Sequence, residues 1–279
     1  MTTQPEAGGA PKGAQNFRAE GRLPEITYSK EIDLTGKAAI VTGGSQGIGR
    51  YIVVKLAYHG ADVIFNSRES SREQAEETVS VVRSFGGNAV YYPGDITLQE
   101  TRSGLAQSAV DNFGRIDILV NNAGGPRDDL GIKMSEEDWD YAVGLNMKAP
   151  FFMTQAVLRQ MSRQGGGQII NISSTAGAIG TPGQANYAGA KAGMEVSHRS
   201  LAREMAKRNI KINSISLGVV STRLTEGLTE AQRQALYNMT TTKEDVGLEE
   251  VADLVAYIAS GRLPSLTTQT IYLDGGSVK

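Results

Sequence analysis

The sequence predicts one doubly wound α/β domain built on a seven-stranded parallel sheet, and three observations carry that prediction. Seven short β-branched runs alternate with amphipathic stretches along the chain, the pattern of strands separated by crossover helices. The runs are nearly all apolar, as strands covered on both faces are. The chain has 279 residues, 40% hydrophobic and 21% charged, enough to bury a sizeable core in one large domain.

Taken in order, the first run is "KAAIVT" (37–42), followed by the turn "TGGSQGIG" and the helical "IGRYIVVKLAYHG" (48–60). "ADVIFN" (61–66), "NAVYYPG" (88–94) and "IDILVNN" (116–122) supply the second, third and fourth strands. "QIINISS" (168–174), "IKINSIS" (210–216) and "QTIYLDG" (269–275) complete the sheet. Segment 221–247 fits neither pattern: it carries "LTEAQRQALYNM" followed by the polar "TTTKEDV", and a helix with such flanks is a lid candidate. Residues 1–31 are rich in Gly, Pro, Ala and Gln with few large apolar side chains. They read as a flexible arm, or as a segment that docks on a neighbouring subunit, and 32–279 as the domain proper.

Composition removes several function classes. A net charge of -2 with mixed signs offers no basic footprint for nucleic acid. The absence of cysteine excludes disulfides and thiolate chemistry. His59 and His198 stand alone, so no metal site is expected. No apolar run approaches the length of a membrane span, and the N-terminus lacks the apolar core of a signal peptide, so a soluble, cytoplasmic protein without membrane partners is expected.

"TGGSQGIG" spans Thr42 to Gly49, directly after a strand and opening a helix. Gly43, Gly47 and Gly49 permit a tight turn that brings backbone N–H groups and a helix N-terminus against a pyrophosphate. A triphosphate-binding loop is disfavoured because Arg50-Tyr51 follows Gly49 where Lys-Ser/Thr is required.

Three residues separate the first two glycines, the spacing of the short-chain dehydrogenase/reductase family. The resemblance continues through Asp95-Ile96, "NNAG" at 121–124 and "YAGAK" at 187–191. It implies a single Rossmann-like domain binding NAD(P) at the carboxyl ends of the strands, assembled as a homotetramer. It also implies cofactor contacts from Ser45, Gln46, Ile48, Asp95, Ile96, Asn122, Ala123, Gly124, Gly218, Val220 and Thr222, beside the three loop glycines.

The cofactor's 2′ position is read at the end of the second strand, "VIFNSRESS". An Asp or Glu there would hold the ribose diol and repel a 2′-phosphate. Ser67 and Arg68 instead offer a hydroxyl and a guanidinium to a phosphate, so NADPH is expected over NADH. The opposing readings are a solvated Arg68, or Glu69 turned toward the ribose; Asp62 is no rival, since it begins the strand.

Reducing a ketone requires hydride at carbon and a proton at oxygen, hence a positioned acid. Tyr187 and Lys191, at i and i+4, share one helix face, and a positive charge within ~4–6 Å lowers a phenol from its reference value of ~10. Ala188, Gly189 and Ala190 leave room for cofactor and substrate. The carboxyl end of the buried run "QIINISS" would present Ser173 and Ser174 where open α/β sheets bind ligands, and the resemblance assigns Ser174, thirteen residues before Tyr187, as the hydroxyl that polarises the carbonyl, with Ser173 as its neighbour. It assigns Asn146 to a water-mediated proton relay, and gives Lys191 a second task on the nicotinamide ribose.

Within the family, "GGPRDDLGIKMSEEDWDYAVGLN" and "TRLTEGLTEAQRQAL" are similar to the 3-oxoacyl-acyl-carrier-protein reductase branch. Leu217-Gly218 in place of Pro-Gly, the segment "TTTKEDVGLEE", and "PSLTTQT" before the last strand depart from it. The substrate expected is a ketone or acyl thioester, free or bound to an acidic carrier protein. Arg159, Arg163, Lys207 and Arg208 are candidates for a basic cleft mouth that meets such a carrier, or equally ordinary solvated ends placed favourably near helix C-termini. A ketoreductase or alcohol dehydrogenase acting on a free small molecule, and a non-catalytic dinucleotide sensor, are the alternatives.

Overall fold

The computed structural model describes residues 32–220, 234, 238 and 240–278. Residues 1–31, Thr222 and all of "LTEAQRQALYNM" in the lid candidate except Gln234 and Asn238 lie outside the described residues. Residues Ile32–Lys279 form one compact unit.

Seven strands are present: Ala38–Thr42 (β1), Asp62–Ser67 (β2), Asn88–Pro93 (β3), Ile118–Asn121 (β4), Gly167–Ser174 (β5), Ile210–Leu217 (β6) and Thr270–Leu273 (β7). They form one sheet in the order β3-β2-β1-β4-β5-β6-β7, with every neighbouring pair parallel. The order reverses at β1, whose neighbours are β2 and β4. A crevice therefore opens beyond the carboxyl ends of β1 and β4, where open α/β sheets bind ligands.

Alternation along each strand separates two cores. Ala39 and Val41 of β1, with Val63, Phe65, Val120, Ile170 and Ile215, pack against Gly47–Tyr58 (α1), Arg72–Ser84 (α2) and a helix at Leu248–Ala259. Ile40, Ile64, Leu119, Ile169 and Ile212 face Gln99–Phe113 (α3), Ala149–Arg163 (α5) and Ala185–Met205 (α7). Glu136–Val143 (α4) and Ala176–Ile179 (α6) lie on the connections around the crevice, and Leu248–Ala259 is α8. Both faces of the central strands are dry, which explains why the strands read as continuous apolar runs.

Two local features shape the crevice. Between α4 and α5 the chain makes a π-helical turn, Gly144–Lys148, that carries the fully buried Asn146; such wide turns insert a residue that the α-helical ladder cannot hold. After β6, Val246 N donates to Val219 O at 2.8 Å and Val220 bridges in parallel to Val246. This bridge ties together the two ends of the 221–245 segment.

The fold corrects one expectation. Arg159 and Arg163 lie in the last turns of α5, just before β5 begins, and Lys207 and Arg208 lie just before β6. They are exposed, but crossover helices run antiparallel to the strands they precede, so these four sit at the amino edge of the sheet. Ser174 is at the other end of β5, about 25 Å away for a strand of that length. Within one chain these residues do not line the cleft.

Candidate active site

The glycine turn is moulded by the fourth strand. Gly43 has φ +72°, and Asn122 Nδ2 donates to Thr42 O (2.9 Å) and Gly43 O (3.1 Å). Thr42 Oγ1 accepts from Asn122 N and Ala123 N, both at 3.0 Å. A Cβ on Gly49 would lie 2.0 Å from Gly43 O and 2.6 Å from Asn122 Nδ2. The turn thus folds back on the first residues of α1, and no side chain caps that helix at Gln46, leaving its N–H groups turned to the crevice. Arg50 is engaged elsewhere, with Ser45 O, Thr78, Gln74 O and Glu77, so it does not serve as a phosphate ligand.

At the end of β2, Ser67 is buried and its Oγ has no hydrogen-bond partner. A buried hydroxyl without a partner costs free energy unless a ligand supplies one. Arg68 beside it is exposed, while Glu69 pairs with Arg72 Nε at 2.5 Å rather than turning inward. Asn66 is structural: its Nδ2 donates to Tyr92 O and Gly94 O. Asp95 Oδ1 accepts from Thr97 N and Oγ1, shaping the entry to α3, and Ile96 is buried with its carbonyl held by Arg102. A dinucleotide fits this set: a glycine cradle that any Cβ at position 49 would fill, an open helix N-terminus, and an orphaned hydroxyl at the adenosine end.

The other predicted residues converge at the ends of β4 and β5. Asn146 Nδ2 donates to Gly125 O and Ala142 O (both 2.9 Å), and its Oδ1 accepts from Gly125 N (3.1 Å). A Cβ on Gly124 would lie 2.7 Å from Asn146 Oδ1 and 3.2 Å from Lys191 Nζ. Gly124, Asn146 and Lys191 therefore border one small space. Lys191 is buried and donates to Ile172 O at 2.8 Å. Ser174, half-buried, stands near enough to Tyr187 to act on its phenol, which it tends to lower.

One expectation differs in detail. Lys191 Nζ lies 5.6 Å from the centre of the Tyr187 ring and is engaged with the Ile172 carbonyl. Burial pushes the Tyr187 phenol up to about 12, against the pull of Ser174 and with a smaller push from Asp128. Burial also pulls Lys191 down to about 8, opposed by Glu195. Burial therefore sets the direction for the phenol in this geometry, while the Lys191 ammonium is turned to the Ile172 carbonyl.

Gly218 packs on the chain after β7: a Cβ there would sit 2.8 Å from Asp274 Cα. Val220 is buried at the bridge to Val246. The residues sequence reading passed over are Thr42, which organises the glycine turn; Gly125, which holds Asn146; and Glu195, which accepts from Ser173. Glu195 was discoverable, because it continues the i, i+4 series of Tyr187 and Lys191 on the same face of α7.

This sheet order, with a glycine turn at the reversal point and polar side chains gathered at the neighbouring strand ends, is the architecture of a dinucleotide-dependent oxidoreductase. The family description "short chain dehydrogenase" matches residues 37–233. The chain belongs to the short-chain dehydrogenase family and resembles its 3-oxoacyl-acyl-carrier-protein reductases. It is 37% identical over 245 residues to the 3-oxoacyl-[acyl-carrier-protein] reductase FabG of Thermotoga maritima, covering 88% of this chain and 99% of that protein. The Staphylococcus aureus (strain Mu50) enzyme of the same name is 36% identical over 240 residues, covering 86% and 97%. Nodulation protein G of Rhizobium sp. (strain N33) is 37% identical over 244 residues, covering 88% and 98%. Among solved structures, a short-chain alcohol dehydrogenase from Sinorhizobium meliloti 1021 superposes with a TM-score of 0.84 at 32% identity, covering 88% of this chain and 98% of that one. The family implies a nicotinamide dinucleotide cofactor. No helix among the described residues is long and apolar enough to cross a membrane.

Proposed function

We propose that the chain is an NADPH-dependent carbonyl reductase for 3-oxoacyl thioesters or related ketones, with Tyr187 as proton donor. The observation that carries this reading is the convergence of Asn146 Oδ1 and Lys191 Nζ on Gly124, with Ser174 at the end of β5 acting on the Tyr187 phenol beside them. Gly43, Gly49 and the α1 N-terminus would hold the pyrophosphate, Ser67 and Arg68 the 2′-phosphate, and Lys191 the nicotinamide ribose. The bound dinucleotide supplies the hydride to the carbonyl carbon.

The chain's own residues handle the oxygen. Ser174 donates to the carbonyl oxygen and stabilises the negative charge that develops there. Tyr187 passes its phenolic proton to that oxygen, so hydride plus proton yields the alcohol. A phenol held up to about 12 is fully protonated near neutrality, which suits the reductive direction. Lys191, at about 8, is mostly charged at pH 7, and Asn146 beside it supports reprotonation of Tyr187.

The FabG relatives favour a carrier-bound thioester. The position of Arg159, Arg163, Lys207 and Arg208 at the far edge of the sheet favours a free ketone instead. A carrier would reach them and the cleft together only if a second copy of the chain, as in a homotetramer, brought them there.

Following NADPH absorbance with acetoacetyl thioesters, carrier-bound and free, and a panel of ketones separates these readings. Cofactor binding without oxidation on every substrate would replace the reductase by a dinucleotide sensor. For the cofactor, kcat/KM is expected to favour NADPH over NADH, and Arg68→Ala to shrink that preference about tenfold or more by removing a charge-assisted phosphate contact. A wild-type preference for NADH would refute the assignment of Ser67 and Arg68.

A further inference from the structure

Glu195 is a buried carboxylate that the reduction above does not use. It is 7% exposed and stands one helical turn after Lys191 on α7. Its Oε1 accepts from Ser173 Oγ at 2.5 Å, and its Oε2 accepts from Thr270 Oγ1 at 2.9 Å. Arg199 Nη2 lies 3.6 Å from Oε2 with a side chain 41% exposed. A single carboxylate thus joins α7 to the carboxyl end of β5 and the start of β7. Ser173 immediately precedes Ser174, and Ile172 before it supplies the carbonyl that holds Lys191.

We propose that Glu195 is a positioning residue for this site, acting as the buried counter-charge of Lys191 and as the anchor of the strand end that carries Ser174; this rests on the reading of Ser174, Tyr187 and Lys191 given above. An ammonium taken out of water is driven toward its neutral form unless an opposite charge lies close by. Among the described residues, the titratable groups recorded around Lys191 are Tyr187 and Glu195 on its own helix. The groups that reach it from the turn after β4, the π-helical turn and β5 are uncharged: Gly124, Asn146 and the Ile172 carbonyl. Around Glu195 stand Lys191 and Arg199 from α7, Ser173 from β5 and Thr270 from β7. His198, farther along α7, bonds Thr154 and the Met194 carbonyl and is kept neutral by burial. Among the described residues Glu195 is therefore the one anion that opposes the neutralisation of Lys191, and its charge acts in the same direction as the site requires.

The sign follows directly. Removing the negative charge at 195 lets Lys191 lose its proton at lower pH, so any property that needs the ammonium fails earlier as pH rises. Glu195→Gln is nearly isosteric and keeps an acceptor for Ser173. NADPH affinity, followed by the fluorescence of bound NADPH from pH 6 to 10, needs no substrate and reports Lys191 on the ribose.

In wild type the affinity should hold through neutrality and weaken near the Lys191 transition. In Glu195→Gln the inflection should fall by about one pH unit or more, the usual effect of a close carboxylate, with the alkaline limb of kcat/KM for acetoacetyl thioester reduction moving alike. An inflection that coincides with wild type, with only the melting temperature lowered, would reduce Glu195 to a structural staple and overturn the proposal. Should Glu195→Gln not fold, Arg199→Gln decides: stripping this partly exposed cation from Oε2 should raise the inflection by about half a unit, and no movement overturns it. Ser173→Ala, which leaves the charge but removes the anchor, should keep the inflection and lower kcat about tenfold; an unchanged kcat removes the anchoring role. Tyr187→Phe measured in parallel separates the two levels. If it retains turnover, the site reading itself falls; if it loses turnover while Glu195→Gln keeps the wild-type inflection, only the role of Glu195 falls.

Discussion

Tyr187→Phe is expected to lower kcat for ketone reduction about a thousandfold, the middle of the range for general-acid catalysis, while NADPH affinity stays within about twofold. The substitution removes the oxygen and the proton but keeps the ring, and the ring is what α7 packs. The neighbour affected is Ser174, whose Oγ retains the Ala176 N–H at 3.2 Å, so the strand end should not collapse. The melting temperature is therefore expected to hold within a few degrees, since a single hydrogen bond contributes about 1 kcal/mol. Pre-steady-state mixing with NADPH and an acetoacetyl thioester would measure the chemical step directly. A single-turnover rate within tenfold of wild type would remove Tyr187 as the acid, whatever the steady-state rate.

Gly49→Ala is the second large effect. Alanine is the better helix former, and position 49 lies in the first turn of α1, so local propensity alone predicts a stabilised protein. Tertiary contact predicts the reverse, because the added Cβ would sit 2.0 Å from Gly43 O and 2.6 Å from Asn122 Nδ2. The turn must open and the Asn122 brace must yield, at about 1–3 kcal/mol for an overpacked site. Calorimetry should show a melting temperature lowered by several degrees, and NADPH titration a dissociation constant raised about a hundredfold or more, since the cradle and the helix N-terminus separate. Gly47→Ala is the control. Its Cβ would meet nothing within 4 Å, but its φ of +52° is left-handed, so only the ~1 kcal/mol conformational penalty applies. Equal behaviour of the two variants would show that backbone strain, not close approach, makes the turn depend on glycine.

These two cases mark how far the sequence reaches. Strand and helix alternation was legible because burial on both faces leaves a direct trace in composition: Ile40 and Val41 face different cores, and both must be apolar. The glycine turn was legible because its neighbours in sequence, a strand and a helix, are also its neighbours in space. Tyr187 and Lys191 were legible because helix periodicity places i and i+4 together. Ser174 was legible in part, because the carboxyl end of a buried strand presents it where open α/β sheets bind ligands; Asn146 was not, since a π-helical turn brings it into reach, and only the resemblance to a family pointed to it.

The structure also bears on two local inferences. Basic residues at helix ends look adjacent to a cleft until the antiparallel course of crossover helices puts Arg159, Arg163, Lys207 and Arg208 at the opposite edge. Lys191 was expected to lower the Tyr187 phenol, yet its ammonium faces the Ile172 carbonyl and both groups are governed by burial.

The sequence by itself determined the doubly wound sheet, the glycine turn between the first strand and the first helix, and the pairing of a phenol with an ammonium on one helix face, because each depends on periodicity or on contacts between near neighbours in the chain. The tertiary structure alone decided which charges stand near the site and how strongly they act. Solvation and Coulomb interaction depend on distance through space, and Ser173, Glu195 and Thr270 become partners only when three separate elements close over one buried carboxylate.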